Sequence, residues 1–143
     1  MNPPIFITAD QTLTADQYVA LLRSNSLGAR RPIDDLARIT DMLRHANLIV
    51  TAWEGDVLIG AARCVTDFAY CCYISDLSVD DRHQKRGIGK QILSKIQTKL
   101  HPNAKLILLA APDAATYYPH LGFTKHASAW VLSASADLLE TKP

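Results

Sequence analysis

Two glycines one residue apart, Gly87 and Gly89, lie in a basic stretch that also contains Lys85, Arg86 and Lys90. An apolar stretch of strand character ends shortly before it, and apolar residues at helical spacing follow it. Glycine lets a backbone approach a ligand closely. The first turn of a helix adds unpaired N–H groups and the positive end of the helix dipole. The segment therefore predicts a place that binds a phosphate group.

Two common glycine motifs fit this segment less well. The phosphate loop of nucleotide hydrolases needs Ser or Thr after its lysine, whereas Gln91 follows Lys90, and Gln84 stands where its first glycine belongs. The dinucleotide-binding fingerprint fails at Ile92, where a third glycine or an alanine belongs. The glycine pair by itself is also typical of a flexible loop with a solvated basic cluster, and that alternative stays open on this motif alone.

Hydrophobic periodicity and turn residues predict the elements that position this segment. The predicted strands are residues 5–8, 48–53, 57–66, 69–79 and 105–111, with one or two more within 123–132. The predicted helices are residues 15–23 with Thr14 as cap, 34–45, 87–100 and a short one over 113–120. Residues 105–111 are apolar enough for a strand buried on both faces. A meander followed by a strand–helix–strand crossover predicts an α/β (α+β) fold with a mixed, mostly antiparallel central sheet and helices on both faces.

The composition bounds the classes of protein to which the chain can belong. A length of 143 residues fits one compact domain, 1–143, and a content of 48% hydrophobic and 20% charged residues can form a buried core. The net charge of +1 gives no chain-wide attraction to nucleic acid or to an acidic membrane, so neither is expected as a partner. Residues 1–11 lack the pattern of a signal peptide, and no apolar run approaches the ~20 residues of a membrane helix.

The cysteines and histidines give no sign of a metal site. Cys64, Cys71 and Cys72 are odd in number and lack the CxxC spacing of zinc sites, which predicts reduced thiols in a cytoplasmic protein. His83 and His120 are expected on the surface, and neither has metal-ligand spacing. No metal is therefore expected.

The segment Gln84-x-x-Gly87-x-Gly89 resembles the Q/R-x-x-G-x-G/A signature of the GNAT family of N-acetyltransferases. Leu77-x-Val79 ends the preceding strand as it does in that family, and residues 118–123 look like the family's Y-x-x-x-G-F element. The resemblance extends from about residue 48 to residue 123. It implies the GNAT-like acyl-CoA N-acyltransferase fold and the transfer of an acetyl group from acetyl-CoA, as co-substrate, to a primary amine.

The resemblance also implies which residues bind acetyl-CoA. The backbone of Leu77, Ser78 and Val79 should pair with the pantetheine arm as an added strand would. The pyrophosphate should be held by the amides of five consecutive residues, namely Arg86, Gly87, Ile88, Gly89 and Lys90. Gln84 and Lys85 should line the same loop. The family often has Asn about where this chain has Pro112, so one side-chain contact to CoA is expected to be missing.

Such a transfer needs a proton acceptor for the amine and a proton donor for the leaving thiolate. The resemblance places Tyr118 at the family's acid position, while Tyr117 is interpreted as a packing aromatic. The family's basic glutamate would fall on Tyr73, so Asp76 and Asp67 are the candidates for the base. If side chains alternate strictly along the strand, Tyr73 and Asp76 lie on opposite faces, and a β-bulge between them would change this. For Asp76, a purely structural hydrogen-bonding role is the alternative to the role of a base.

The acceptor is expected to be a small-molecule amine or a protein amino group, and the resemblance includes homodimers among the expected assemblies. Arg30 and Arg31 follow the first helix and either meet an acidic substrate or form a solvated basic loop. Two other functions stay open. One is a non-catalytic acyl-CoA-binding or regulatory module, and the other is a nucleotide-binding domain of unusual topology.

Overall fold

A five-stranded sheet dominates the computed structural model, which describes residues 3–140. Its strands are β1 (Ile5–Thr8), β2 (Leu48–Glu54), β3 (Val57–Thr66), β4 (Cys71–Val79) and β5 (Lys105–Ile107), and they lie in that order across the sheet. Strands β1 to β4 are antiparallel to their neighbours, whereas β5 runs parallel to β4. The mixed, mostly antiparallel sheet predicted from the sequence is confirmed.

The described residues contain four α-helices: α1 (Ala15–Arg23), α2 (Leu36–His45), α3 (Ile88–Thr98) and α4 (Tyr117–His120). Two of them start at predictable caps. Thr14 and Gln17 form a reciprocal capping box at α1, and the Asp35 side chain accepts from the Arg38 N–H at α2. Two short 3-10 helices, Ser26–Arg30 and Asp81–His83, lie in segments that the sequence predicted as loops.

The described residues divide into two compact units between Ala111 and Pro112. The first unit holds the sheet with α1, α2 and α3, and the second holds α4. The single domain expected over residues 1–143 stays a prediction.

Adjacent residues on β3 show which helix covers which face of the sheet. A Cβ atom added to Gly60 would lie 3.1 Å from Ile92 Cδ1 and 3.3 Å from Ile88 Cγ2, so this face of β3 packs directly against α3. The next residue, Ala61, belongs to the buried cluster that contains Tyr18 and Ile39 of α1 and α2. Because neighbouring strand residues point to opposite faces, α3 covers one face of the sheet and the α1–α2 pair covers the other.

A β-bulge at Ser75 changes the face on which the first half of β4 points. Arg63 of β3 is opposite Asp76, but the next residue, Cys64, is opposite Ile74, so Ser75 is the extra residue. The bulge is the exception that the sequence analysis allowed, so Tyr73 and Asp76 point to the same face. Both pair with β3 residues of the α1 face, whereas Leu77 pairs with Ala62 on the α3 face.

Two predicted strands differ from the structure. Strand β5 ends at Ile107 rather than at residue 111. Its first and last residues, Lys105 and Ile107, are exposed rather than buried. It pairs with β4 over three residues, and no further strand pairs with its other edge within the described chain. Residues 123–132 form no strand, and Trp130 is 91% exposed. Apolar composition predicted both strands, but a strand also needs a hydrogen-bonding partner along its length.

Candidate active site

Strands β4 and β5 pair at one end only, which leaves an open edge on β4. Their ladder covers the three β4 residues from Cys71 to Tyr73, and no described strand pairs with the remainder of β4 on that side. The Asp80 N–H donates to the Ile59 carbonyl at 2.9 Å and so points toward β3. Since N–H directions alternate along a strand, the N–H groups of Leu77 and Val79 point to the open edge. An extended ligand can add there as another strand does.

Ser78 differs from its two neighbours. Its backbone faces β3 by the same alternation, and its hydroxyl accepts from Asn25 Nδ2 at 2.6 Å. Of residues 77–79, only Leu77 and Val79 therefore direct their backbone N–H groups to the open edge, where strand-like pairing with a ligand is expected.

The start of α3 has the backbone geometry of an anion site. Gly87 is the N-cap residue at φ 75°, and no side chain caps the helix. Lys85 also has a left-handed backbone, at φ 63°. Left-handed residues are typical of the backbone turns whose successive N–H groups form anion-binding concavities. The uncapped first turn adds N–H groups without intrahelical partners.

The open edge of β4 and the start of α3 lie together. Gly60 is opposite Val79 in the ladder, and a Cβ atom on Gly60 would lie 3.3 Å from Ile88 Cγ2, in the first turn of α3. The predicted residues 77–79 and 84–90 thus belong to one region of the first unit. Gln84 lies in the loop, where its Nε2 donates to Asp81 Oδ1 at 2.9 Å.

Positive charge at this loop is partly neutralised by an acid that the sequence analysis missed. Arg86 Nη1 lies 3.1 Å from Glu54 Oε2, and His83 Nε2 lies 3.3 Å from Glu54 Oε1. The hydrogen bond from Arg86, and then that from His83, holds the pKa of Glu54 below its usual value. The His83 side chain is only 14% exposed, so the expectation of a surface histidine is wrong. Lys85 and Lys90 are exposed and add the remaining charge.

Asp76 is buried in an ionic cluster on the opposite face of β4 from Leu77 and Val79. Its carboxylate accepts from Arg31 Nε at 2.5 Å, from Arg63 Nε at 2.7 Å and from the Tyr18 hydroxyl at 2.6 Å. Burial acts to raise the pKa of Asp76, but the hydrogen bond and charge of Arg63, with the bonds from Tyr18 and Arg31, lower it overall.

The same cluster fixes the bulge. Arg63 Nη2 donates to Ser75 Oγ at 2.7 Å, and Arg31 Nη2 donates to the Ser75 carbonyl at 2.7 Å. Arg31 is therefore not part of a solvated basic loop. This geometry favours the structural alternative for Asp76 over the role of a base.

Tyr118 lies on α4, in the second unit. Its ring makes edge-to-face contacts with Tyr117 and Phe123, each with ring centroids 5.3 Å apart, and the Phe123 N–H donates to the Tyr118 carbonyl at 3.1 Å. Gly122 turns the chain between them at φ 99°. Burial, and then the neighbouring Tyr117, raises the pKa of Tyr118. A raised pKa keeps the phenol protonated at neutral pH and also makes it a weaker acid.

Residues 3–140 contain no group of three or more His, Cys, Asp and Glu side chains placed to hold a metal ion. None of the helices within these residues has the length and apolar composition needed to cross a membrane.

Residues 32–132 match the family model described as an acetyltransferase (GNAT) domain. An uncharacterized N-acetyltransferase, ycf52-like, from Prochlorococcus marinus is 30% identical over 102 residues, which are 67% of this chain and 55% of that protein. The histone acetyltransferase TAP1 from Glycine max is 37% identical over 68 residues, which are 46% of this chain and 29% of that protein. The chain thus spans about half the length, or less, of these curated relatives.

Solved structures share the fold. A probable acetyltransferase from Staphylococcus aureus superposes with a TM-score of 0.73 at 22% identity, over 93% of this chain and 100% of that one. A ribosomal-protein-alanine N-acetyltransferase from Brucella melitensis gives a TM-score of 0.69 at 20% identity, over 91% of this chain and 99% of that one. The α/β fold predicted from the sequence is the fold of these acetyltransferases, and the chain belongs to the GNAT family.

Proposed function

We propose that this chain transfers an acetyl group from acetyl-CoA to an amine, either a small molecule or a protein amino group. Membership of the GNAT family supports acyl transfer in general. The observation that carries the proposal is the uncapped start of α3, with left-handed residues at Lys85 and Gly87, next to the open edge of β4. One region thus offers amides for a diphosphate and a strand edge for an extended arm.

Each part of acetyl-CoA has matching groups in this region. The diphosphate lies on the amides of residues 86–90, with Lys85 and Lys90 as exposed cations and Gln84 in the same loop. The pantetheine arm lies along the open edge of β4, where the N–H groups of Leu77 and Val79 are directed. When bound, acetyl-CoA supplies the thioester whose acyl group is transferred.

The chain's own residues must then manage charge and protons. A lysine-like acceptor has a pKa of ~10.4, so its neutral form costs on the order of 4–5 kcal/mol at pH 7. A backbone N–H on the open edge of β4 can donate to the negative charge that develops on the thioester oxygen. Tyr118 donates a proton to the leaving thiolate. Because a phenol pKa of ~10 exceeds a thiol pKa of ~8.5, this transfer is uphill by about 2 kcal/mol; departure of the thiol draws it forward, and the phenolate then regains a proton from water.

The base is assigned to water rather than to a carboxylate. The three donors on Asp76 and its lowered pKa leave it a poor proton acceptor. Asp67, the other candidate, accepts three backbone N–H bonds from residues 69–71, and these bonds lower its pKa. We propose that the ammonium proton leaves through a chain of water molecules.

Release of free thiol from acetyl-CoA tests this function. The acceptor panel contains a polyamine, an arylalkylamine, an aminoglycoside, amino acids and peptides with a free N-terminus, including N-terminal alanine. We expect release that depends on one acceptor class and falls strongly in Gly87→Val, because valine disfavours the left-handed backbone of residue 87. A folded protein that binds acetyl-CoA but releases no thiol with any acceptor would support the non-catalytic alternative.

A further inference from the structure

We propose that Glu54 is a positioning residue that holds the loop before α3 in the shape that receives the CoA diphosphate. This inference rests on the proposed function, since it concerns the same site. Glu54 ends β2, far in sequence from the loop that it contacts. Its side chain is mostly buried, with 24% exposed.

The two oxygens of the Glu54 carboxylate bind the two ends of the loop. Oε1 lies 3.3 Å from His83 Nε2, and Oε2 accepts from Arg86 Nη1 at 3.1 Å. Both partner side chains are mostly buried, at 14% and 22% exposure. Between these partners lie Gln84 and Lys85. One carboxylate thus closes a bridge across the turn that precedes Gly87.

The turn that Glu54 bridges, residues 83–86, contains an unfavourable backbone conformation. Lys85 has a left-handed backbone at φ 63°, which is unfavourable for a residue with a Cβ atom. Strained backbone persists where the surrounding structure holds it in place. Glu54 contacts His83 before Lys85 and Arg86 after it, and so can hold Lys85 in this conformation. The amides expected to bind the diphosphate, those of residues 86–90, come directly after Lys85 in the chain.

A simple charge argument predicts the opposite effect of Glu54. Its carboxylate neutralises part of the positive field of Arg86, so its removal would strengthen attraction to a diphosphate. Positioning predicts instead that removal weakens binding, because the amides are no longer held together in one geometry. The two explanations differ in the sign of the change in affinity.

Titration calorimetry with CoA on Glu54→Ala and Glu54→Gln decides between them, with thermal denaturation to verify folding. We expect about tenfold weaker CoA binding for alanine, the size typical of losing hydrogen bonds to a charged group, and a smaller loss for glutamine, which keeps one acceptor oxygen. Asp56→Asn is the matched control, because it removes the same charge from an exposed side chain in the adjacent turn. Its CoA affinity should stay within about twofold of the wild-type value.

A second probe separates this inference from a general loss of structure. Pantetheine lacks the diphosphate, so its affinity, followed by NMR titration, should be the same in the wild-type protein and in Glu54→Ala. Unchanged or tighter CoA binding in Glu54→Ala, or an equal loss for pantetheine, would overturn the role of Glu54 while leaving the proposed function intact. Absence of CoA binding to the wild-type protein would instead reject the proposed function itself.

Discussion

Asp76 receives hydrogen bonds from Arg31, Arg63 and Tyr18 while its own side chain is fully buried. A buried carboxylate is costly unless charged donors satisfy it, and here two guanidinium groups do so. Both arginines also bind Ser75. The cluster therefore links the segment after α1, strand β3 and the bulge of β4 into one rigid arrangement.

Replacing Asp76 by Asn should destabilise the protein by ~3–5 kcal/mol, because it leaves Arg63 buried without its full counter-charge. Urea denaturation measures the loss of stability. Asp41→Asn, at an exposed position on α2, is the control and should change the free energy of unfolding by less than ~0.5 kcal/mol. A variant that keeps its stability but loses acetyl transfer would instead identify Asp76 as the base.

The pH dependence of stability follows from the same contacts. The folded pKa of Asp76 lies below its unfolded value, so its stabilising contribution is complete above a pH of ~4 and is lost as the pH falls through the folded pKa. Acid denaturation of Asp76→Asn should lack this component. Equal acid sensitivity of the two proteins would contradict the assignment.

Replacing Tyr118 by Phe should lower kcat by about 10²–10⁴-fold, the usual contribution of a general acid, with little change in the KM for acetyl-CoA. The phenyl ring keeps the edge-to-face contacts with Tyr117 and Phe123, so folding should be preserved. Tyr117→Phe is the matched control and should retain activity.

Since the pKa of Tyr118 is raised, activity should show no alkaline loss from this group below a pH of ~10. Full activity in Tyr118→Phe would remove it from the mechanism.

At the scale of elements, the position of α3 depends on one missing side chain in β3. Gly60 leaves room for Ile88 and Ile92, and a Cβ atom there would also lie 3.3 Å from the Ser78 carbonyl oxygen. Because Ile88 opens α3, any displacement of the helix at this point also moves the amides that start it. Packing of α3 on β3 thus sets the geometry of the proposed diphosphate site.

Gly60→Ala should cost about 1 kcal/mol net, since overpacking of 1–3 kcal/mol exceeds the gain of 0.4–1 kcal/mol from restricting the unfolded chain. Ile92→Val removes the Cδ1 atom that lies closest to the added Cβ atom, so the double variant should lose less stability than the sum of the single variants. Chemical denaturation of the four proteins measures this coupling. Strict additivity would show that α3 does not meet β3 at this point.

Local chemistry allowed much of the fold to be predicted from the sequence. The helix after Thr14 starts where a Ser/Thr cap and a Gln three residues later require it, and strand β3 has the predicted bounds, residues 57–66. The start of α3 after Gly87 is also where this glycine, at positive φ, permits it. These features depend on neighbours within a few residues, so one sequence suffices.

What the sequence could not predict depends on contacts between distant residues. The bulge at Ser75 is visible only in the register of β4 against β3, yet it decides the face of Tyr73. Glu54 reaches Arg86 because β2 ends next to the loop before α3, a juxtaposition that no local pattern contains. Residues 123–132 failed as a strand for the same reason, since pairing partners cannot be read from apolar composition.

At the scale of the whole molecule, the net charge of +1 conceals an uneven distribution. Four of the seven residues from Gln84 to Lys90 have polar or basic side chains. Among the three basic ones, the described contacts include an ion pair for Arg86 alone, with Glu54. The weak overall charge gives no general attraction to polyanions, whereas the start of α3 offers a local field and free amides. That contrast supports the proposed selectivity for one compact anionic group.

The central claim is that the CoA diphosphate lies on the amides that start α3. Amide chemical shifts of the ¹⁵N-labelled protein test it most directly, with CoA and pantetheine titrated separately. We predict that CoA shifts the amides of residues 86–90 together with those of Leu77 and Val79, whereas pantetheine shifts only Leu77, Val79 and their neighbours. Saturating CoA that leaves the amides of residues 86–90 unmoved would contradict this account of the site.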